Sequence, residues 1–135
     1  ILFIVQLLLL RVDKFVCLGY NIRGNVMEKE LKFYYTKDGQ CPFVDWYHSL
    51  DASIRLRIDK TTDKLKRGLY GDHKPLQKSE LWEIRMDFGK GYRIYYYDVE
   101  DTVILLVAGS EKKDQKKVIQ LANAYFEDLK QRGEI

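Results

Sequence analysis

Arginine, glutamate and tyrosine recur at alternate positions between Leu81 and Tyr97, a spacing that suits phosphate chemistry. Successive side chains of a β-strand point to opposite faces. Glu83 and Arg85 therefore share a face on one arm of a predicted hairpin. On the other arm, the same face carries three more polar or aromatic side chains, those of Arg93, Tyr95 and Tyr97. Guanidinium groups bind phosphate oxygens in pairs, and tyrosine rings stack on bases. The pattern predicts a sheet surface suited to nucleic acid.

The opposite face of this hairpin is predicted to be core. A turn at Gly89-Lys90-Gly91 predicts a three-residue loop. The expected cross-strand pairs are Phe88–Tyr92, Met86–Ile94 and Arg85–Tyr95. From the pattern alone a second interpretation stays open, in which Arg85 and Arg93 only form ion pairs with Asp87 and Glu83 across the sheet. The expected core residues are Trp82, Ile84, Met86, Phe88, Tyr92, Ile94 and Tyr96.

Length and charge limit the alternatives. The chain has 135 residues, which suits one domain. Its net charge of +3 neither requires nor excludes a nucleic-acid partner. The two cysteines fit no metal-ligand spacing. The basic residues nevertheless cluster at Lys112, Lys113, Lys116 and Lys117, and again at Lys60, Lys64, Lys66 and Arg67.

The first ten residues are almost purely apolar, and the first methionine is Met27. Ten residues are too few to span a bilayer, and no basic segment precedes them. We expect residues 1–26 to be a non-native or disordered upstream extension and residues 27–135 to form the domain. A truncated signal or anchor segment is the alternative interpretation.

The predicted elements describe an α+β domain. An aromatic strand at 31–36 is followed by a short helix at 42–50 and a second helix that Gly68 ends. Pro75 restricts the segment 73–77 to an edge strand. After the hairpin, residues 102–109 are apolar on both faces and predict a central strand. A final helix is expected from about 114 to 132, with a buried stripe of Val118, Leu121, Ala122, Tyr125, Phe126 and Leu129.

In this order, the elements and several short motifs resemble the RelE/HigB superfamily of bacterial toxins from type II toxin–antitoxin systems, in particular the addiction-module killer protein group. The resemblance covers residues 31–127. The matching pieces are Phe43-Val44-Asp45-Trp46, Arg55-Leu56-Arg57-Ile58, Gly71-Asp72-His73-Lys74-Pro75-Leu76, Leu81-Trp82-Glu83-Ile84-Arg85, Gly89-Lys90-Gly91-Tyr92-Arg93-Ile94-Tyr95-Tyr96 and Leu105-Leu106-Val107-Ala108-Gly109-Ser110-Glu111-Lys112-Lys113-Asp114-Gln115.

The resemblance implies a microbial-ribonuclease-like fold, with a mostly antiparallel sheet packed by two N-terminal helices and one C-terminal helix. It implies a cytoplasmic bacterial protein that cuts mRNA on the translating ribosome through the RNA 2′-hydroxyl, without a metal, a small-molecule cofactor or a membrane. The implied partner is a helix-turn-helix antitoxin. The alternative is a non-enzymatic inhibitor on the same fold, acting on DNA gyrase or binding only its antitoxin.

The resemblance also suggests roles at the site. Arg85 and Arg93 are expected to hold the scissile phosphate, and Lys112 lies where relatives carry a functional basic residue. Glu83, expected at the surface, is the hypothetical general base, although an ordinary ion-pair role stays open. The expected RNA-binding residues are Lys74, Lys113, Tyr95, Tyr97 and His73, the last also a candidate proton donor. Ile119 stands where some relatives have a tyrosine, so a stacking ring would have to come from Tyr95 or Tyr97.

Overall fold

The computed structural model describes residues 28–99 and 103–135. The expected extension at 1–26 lies outside the described residues. Five strands form one sheet: β1 Glu30–Phe33, β2 His73–Pro75, β3 Trp82–Met86, β4 Tyr92–Val99 and β5 Val103–Glu111. The helices are α1 Pro42–His48, α2 Ala52–Lys66 and α3 Gln115–Gln131, and a single 3₁₀ turn, Lys112–Asp114, precedes α3. The predicted α+β class, with two N-terminal helices and one C-terminal helix, is confirmed.

The strand order is β1-β5-β4-β3-β2. Every neighbouring pair is antiparallel except β1 with β5, which is parallel. The short strand with Pro75 lies at one edge, as predicted. The apolar strand β5 is an interior strand between β1 and β4, whereas β4 occupies the middle of the sheet. The prediction that β5 is the central strand is therefore wrong by one position, because a strand next to the centre is also covered on both faces.

Helices cover both faces of the sheet, with α1 and α2 on one and α3 on the other. The first face packs Ile58 and Leu65 of α2 and Phe43 of α1 against Ile94 and Leu106. On the second face, Ala122, Phe126 and Leu129 of α3 pack against sheet residues that include Tyr95 and Leu105. The predicted stripe of α3 is right for these three residues but wrong for Leu121, which is 41% exposed.

The register of the hairpin differs from the predicted one by two residues. Arg85 lies opposite Arg93 and Met86 opposite Tyr92. The connection therefore comprises the five residues 87–91, and its turn is closed by a 2.9 Å hydrogen bond from the Gly91 amide to the Phe88 carbonyl. Because the shift is an even number of residues, each side chain keeps its predicted face.

Candidate active site on the α3 side of the sheet

Two rows of paired residues bring the sequence-predicted side chains together. Directly opposite residues of neighbouring strands point to the same face. One row runs from Arg85 to Arg93 to Ser110. The next row runs from Lys74 to Glu83, Tyr95 and Ala108. Lys74, Glu83, Arg85 and Arg93 therefore share the face that α3 covers, at the end where the 3₁₀ turn enters that helix.

The inner part of this site is buried. Glu83 has no exposed surface, and Arg93 is 4% exposed. Oε2 of Glu83 accepts a 2.7 Å hydrogen bond from the Gln115 side chain, at the first residue of α3. Oε1 of Glu83 lies 3.9 Å from Nε of Arg93, and neither of these two atoms has a hydrogen-bond partner among the described residues. The other end of the Arg93 guanidinium donates to the Tyr92 carbonyl at 3.1 Å.

Tyr95 and Ser110 complete the buried part. The Tyr95 hydroxyl and Ser110 Oγ are 3.0 Å apart and share a hydrogen bond. Burial raises the pKa of Tyr95 to about 12, and the hydrogen bond to Ser110 opposes that rise. Tyr95 is therefore neutral at physiological pH, and its ring belongs to the core beneath α3.

The outer part of the site is cationic. Arg85 keeps 36% of its side chain exposed and donates a 3.0 Å hydrogen bond to Asp72, which raises the pKa of the guanidinium further. Lys74 and Lys112 are exposed, and Lys113 is 73% exposed with Glu111 at 3.6 Å. The Lys112 amide donates to the Gly91 carbonyl at 2.9 Å, which attaches the 3₁₀ turn to the hairpin loop.

Two arginines in directly opposed positions are an unfavourable pair in a sheet, because like charges across a ladder repel. Three carboxylates offset that repulsion here. Asp72 binds Arg85 at 3.0 Å, while Glu83 and Asp87 lie 3.9 and 4.0 Å from Arg93. These five side chains together carry no excess of positive charge, so the cations available to an anion such as a phosphate are the accessible Arg85 guanidinium and the exposed Lys74 and Lys112 around it.

Comparison with known proteins identifies the fold. No protein-family model matches the chain. An uncharacterized protein of Haemophilus influenzae is 28% identical over 88 residues, covering 64% of this chain and 88% of that protein. The structure also resembles that of the E. coli toxin RelE, solved as an arginine-to-alanine double mutant in the free state. The TM-score is 0.54 at 12% identity, over 73% of this chain and 96% of RelE. The chain has a RelE-like fold.

Within this RelE-like fold, the positions of three expected site residues differ from their predicted roles. Tyr95 is fully buried, and Tyr97 packs its ring against Phe126 with centroids 4.7 Å apart. The Tyr95 ring is therefore closed to a base, whereas the half-buried Tyr97 ring already has Phe126 as a neighbour and its stacking on a base stays a prediction. His73 lies opposite Ile84, on the face away from Glu83 and Arg93, and its ring packs at a tilt against those of Tyr70 and Trp82. It is thus misplaced for the predicted role of proton donor to this site.

Glu83 lies on the predicted face, but its exposure differs from the prediction. It was expected to be a surface carboxylate beside an arginine, but it is completely covered. Sequence reasoning also missed Asp72 and Gln115, although both fall inside the matching motifs. Nothing in their spacing signals these contacts, because Gln115 meets Glu83 across 32 residues and Asp72 meets Arg85 across 13.

The described residues contain no helix long and apolar enough to cross a membrane. Nor do the same stretches of the chain bring together three His, Cys, Asp or Glu side chains that could hold a metal ion.

Proposed function

We propose that this protein is the toxin of a toxin–antitoxin module and that it cuts mRNA on the translating ribosome. The observation that carries the proposal is the opposed pair Arg85 and Arg93 on a RelE-like sheet, one guanidinium exposed and the other buried behind it. RelE, which shares the fold, is itself described as a toxin.

The proposed reaction is attack of the RNA 2′-hydroxyl on the adjacent phosphate, which needs no metal and no cofactor. The attack breaks the bond between phosphorus and the 5′-oxygen of the next nucleotide. That oxygen leaves as a hydroxyl with a proton taken from water, and the other product ends in a 2′,3′-cyclic phosphate. The developing negative charge on the phosphate must be stabilised by fixed positive groups. Arg85 is the accessible guanidinium on the rigid strand β3, and Lys112 adds charge from the neighbouring turn. Lys74 and Lys113, both exposed, are proposed to hold the RNA backbone on either side.

Glu83 is the proposed acceptor of the 2′-hydroxyl proton, with Arg93 beside it. Its free Oε1 supports this role, because a carboxylate oxygen without a partner can accept a proton or a hydrogen bond. Its burial restricts how a substrate reaches it. Arg93 keeps 5% of its side chain exposed while Glu83 keeps none, so we place the approach of the substrate on the Arg93 side.

The proposed partners are mRNA on the ribosome and a helix-turn-helix antitoxin, in the bacterial cytoplasm. A gyrase inhibitor on the same fold has no need of an exposed arginine directly opposite a buried one. The site therefore favours RNA cleavage over that alternative.

The test compares Arg85→Ala with Arg67→Ala during induced expression. Arg67 is an exposed arginine at the end of α2, which packs on the other face of the sheet. We expect the wild type and Arg67→Ala to arrest growth and to produce new mRNA 5′ ends by primer extension. Arg85→Ala should lower cleavage about a hundredfold or more, because one preorganised donor to the transition state is lost.

The two variants should have similar melting temperatures, since Arg85 is partly exposed and its ion pair with Asp72 lies at the surface. Growth arrest with unchanged mRNA ends would contradict the proposed ribonuclease. If that arrest came with a loss of DNA supercoiling while translation continued, the gyrase alternative would replace it.

A further inference from the structure

The Glu83–Arg93 pair is almost completely buried, and its two charged groups are not joined by a hydrogen bond. A buried carboxylate and guanidinium normally approach to about 2.8 Å and share charge-assisted hydrogen bonds. Here the facing atoms, Oε1 and Nε, stay 3.9 Å apart, and each lacks a hydrogen-bond partner in the part of the chain that the structure describes. Leaving two buried charged atoms unsatisfied destabilises a fold, so an arrangement that keeps them so needs a cause.

Gln115 supplies that cause on the Glu83 side. Its amide nitrogen donates to Oε2 at 2.7 Å, the shortest contact that the carboxylate makes among its described partners. On the Arg93 side, Nη1 donates a hydrogen bond to the Tyr92 carbonyl at 3.1 Å, and the Asp87 carboxylate lies 4.0 Å from the same nitrogen. The Glu83 carboxylate is thus bonded through Oε2 and the Arg93 guanidinium through Nη1, which leaves Oε1 and Nε facing each other across 3.9 Å.

We propose that Gln115 is a positioning residue that holds the Glu83 carboxylate away from Arg93, so that a substrate hydroxyl can enter between them. A hydroxyl oxygen donates one hydrogen bond and accepts others. Oε1 is a free acceptor and Nε a free donor, and an oxygen about 2.8 Å from each can bridge two atoms 3.9 Å apart. The inference rests on the proposed function, for which that hydroxyl is the ribose 2′-hydroxyl.

The backbone supports this role for Gln115. It is the first residue of α3, directly after the turn Lys112–Asp114, whose Lys112 amide is bonded to the hairpin loop at Gly91. The side chain of Gln115 therefore projects from a segment fixed to the hairpin that carries Glu83 and Arg93. An amide on a fixed segment can hold a carboxylate in one orientation.

The test replaces Gln115 with methionine, which has a similar length and no hydrogen-bond donor. Gln120→Met is the matched control, because Gln120 is an exposed glutamine on the same helix. With ribosome-bound mRNA as substrate, we expect Gln115→Met to lower kcat about 10- to 100-fold and to leave KM within about twofold, since a displaced base harms the chemical step more than binding. Gln120→Met should match the wild type in both constants.

A crystal structure of Gln115→Met gives a readout that does not depend on activity. We expect Glu83 Oε1 to close on Arg93 Nε to about 2.8 Å once the competing donor is gone. A pair that stays near its present separation, or an unchanged kcat in a variant of an active wild type, would overturn the positioning role. An inactive wild type would instead count against the proposed function, and the crystal structure would still decide whether Gln115 holds the pair apart.

Discussion

The two faces of the sheet are both covered by helices, but they are closed in different ways. Beneath α1 and α2 the buried side chains are apolar or aromatic, and their requirement is volume. Beneath α3 the core is apolar near Phe126 and Leu129, but it becomes polar near Gln115, where Glu83, Arg93 and Ser110 are buried. We call the first the face closed by shape, because its stability depends on how well side chains fill the volume beneath the helices. We call the second the face closed by partners, because near Gln115 its stability depends on a partner for each buried polar group. The two should fail differently when mutated.

The largest effect is expected from Gly109→Ala, on the face closed by shape. A Cβ at Gly109 would lie 2.1 Å from the Trp46 ring of α1, which no side-chain contact tolerates. We expect the free energy of unfolding to fall by about 4 kcal/mol, because the Trp46 ring must shift to relieve the overlap and it is carried by the helix that packs on this face. Urea denaturation followed by circular dichroism measures it.

The control for that variant is the double change Gly109→Ala with Trp46→Leu. The smaller side chain removes the ring that causes the clash, so the double variant should be more stable than Gly109→Ala alone. A Gly109→Ala protein as stable as the wild type would show that this face is not closed by shape.

The next effect, on the face closed by partners, is expected from Arg93→Met. The substitution keeps much of the volume but leaves Glu83 buried without its cation. We expect a loss of about 3 kcal/mol in the free energy of unfolding, because an uncompensated buried charge is costly. Arg85→Met, at the exposed member of the same cross-strand pair, should change the melting temperature little.

The double variant Glu83→Leu/Arg93→Met should recover most of that loss, since it removes both charges together. Equal destabilisation by Arg93→Met and Arg85→Met would mean that the burial of Arg93 has no energetic consequence. In that case the contrast between the two arginines would disappear.

The smallest effect is expected at alkaline pH. Burial raises the pKa of Tyr95 from 10.0 to about 12. The folded protein therefore keeps the Tyr95 proton over a range in which the unfolded chain loses it. The corresponding stability is present below pH 10 and is lost as the pH rises through about 12.

Tyr95→Phe should consequently make the free energy of unfolding fall less steeply above pH 10, as measured by urea denaturation at a series of pH values. Tyr35→Phe, at a tyrosine that is 40% exposed, should keep the wild-type slope. Identical slopes in all three proteins would contradict the burial of the Tyr95 hydroxyl as the origin of the alkaline loss.

Much of the fold was predictable because it depends on local patterns. The alternation in Leu81–Tyr97 assigned each side chain to the right face, and Pro75 placed its strand at an edge. The hairpin register was not predictable from the Gly-Lys-Gly motif, because the loop begins two residues earlier, at Asp87. Only the hydrogen bond from the Gly91 amide to the Phe88 carbonyl reveals this longer loop. The site was foreseen as a group of residue types, whereas their exposure was not.

The sequence by itself determined that Arg85, Arg93 and Glu83 lie on one face and that this face is richer in charge than the other, because a strand alternates with period 2. Only the tertiary structure decided which of these groups meets solvent. Gln115, at the start of α3, bonds to the fully covered Glu83, while Arg93 is buried and Arg85 stays accessible. That choice depends on contacts between residues far apart in the chain, which no local pattern encodes.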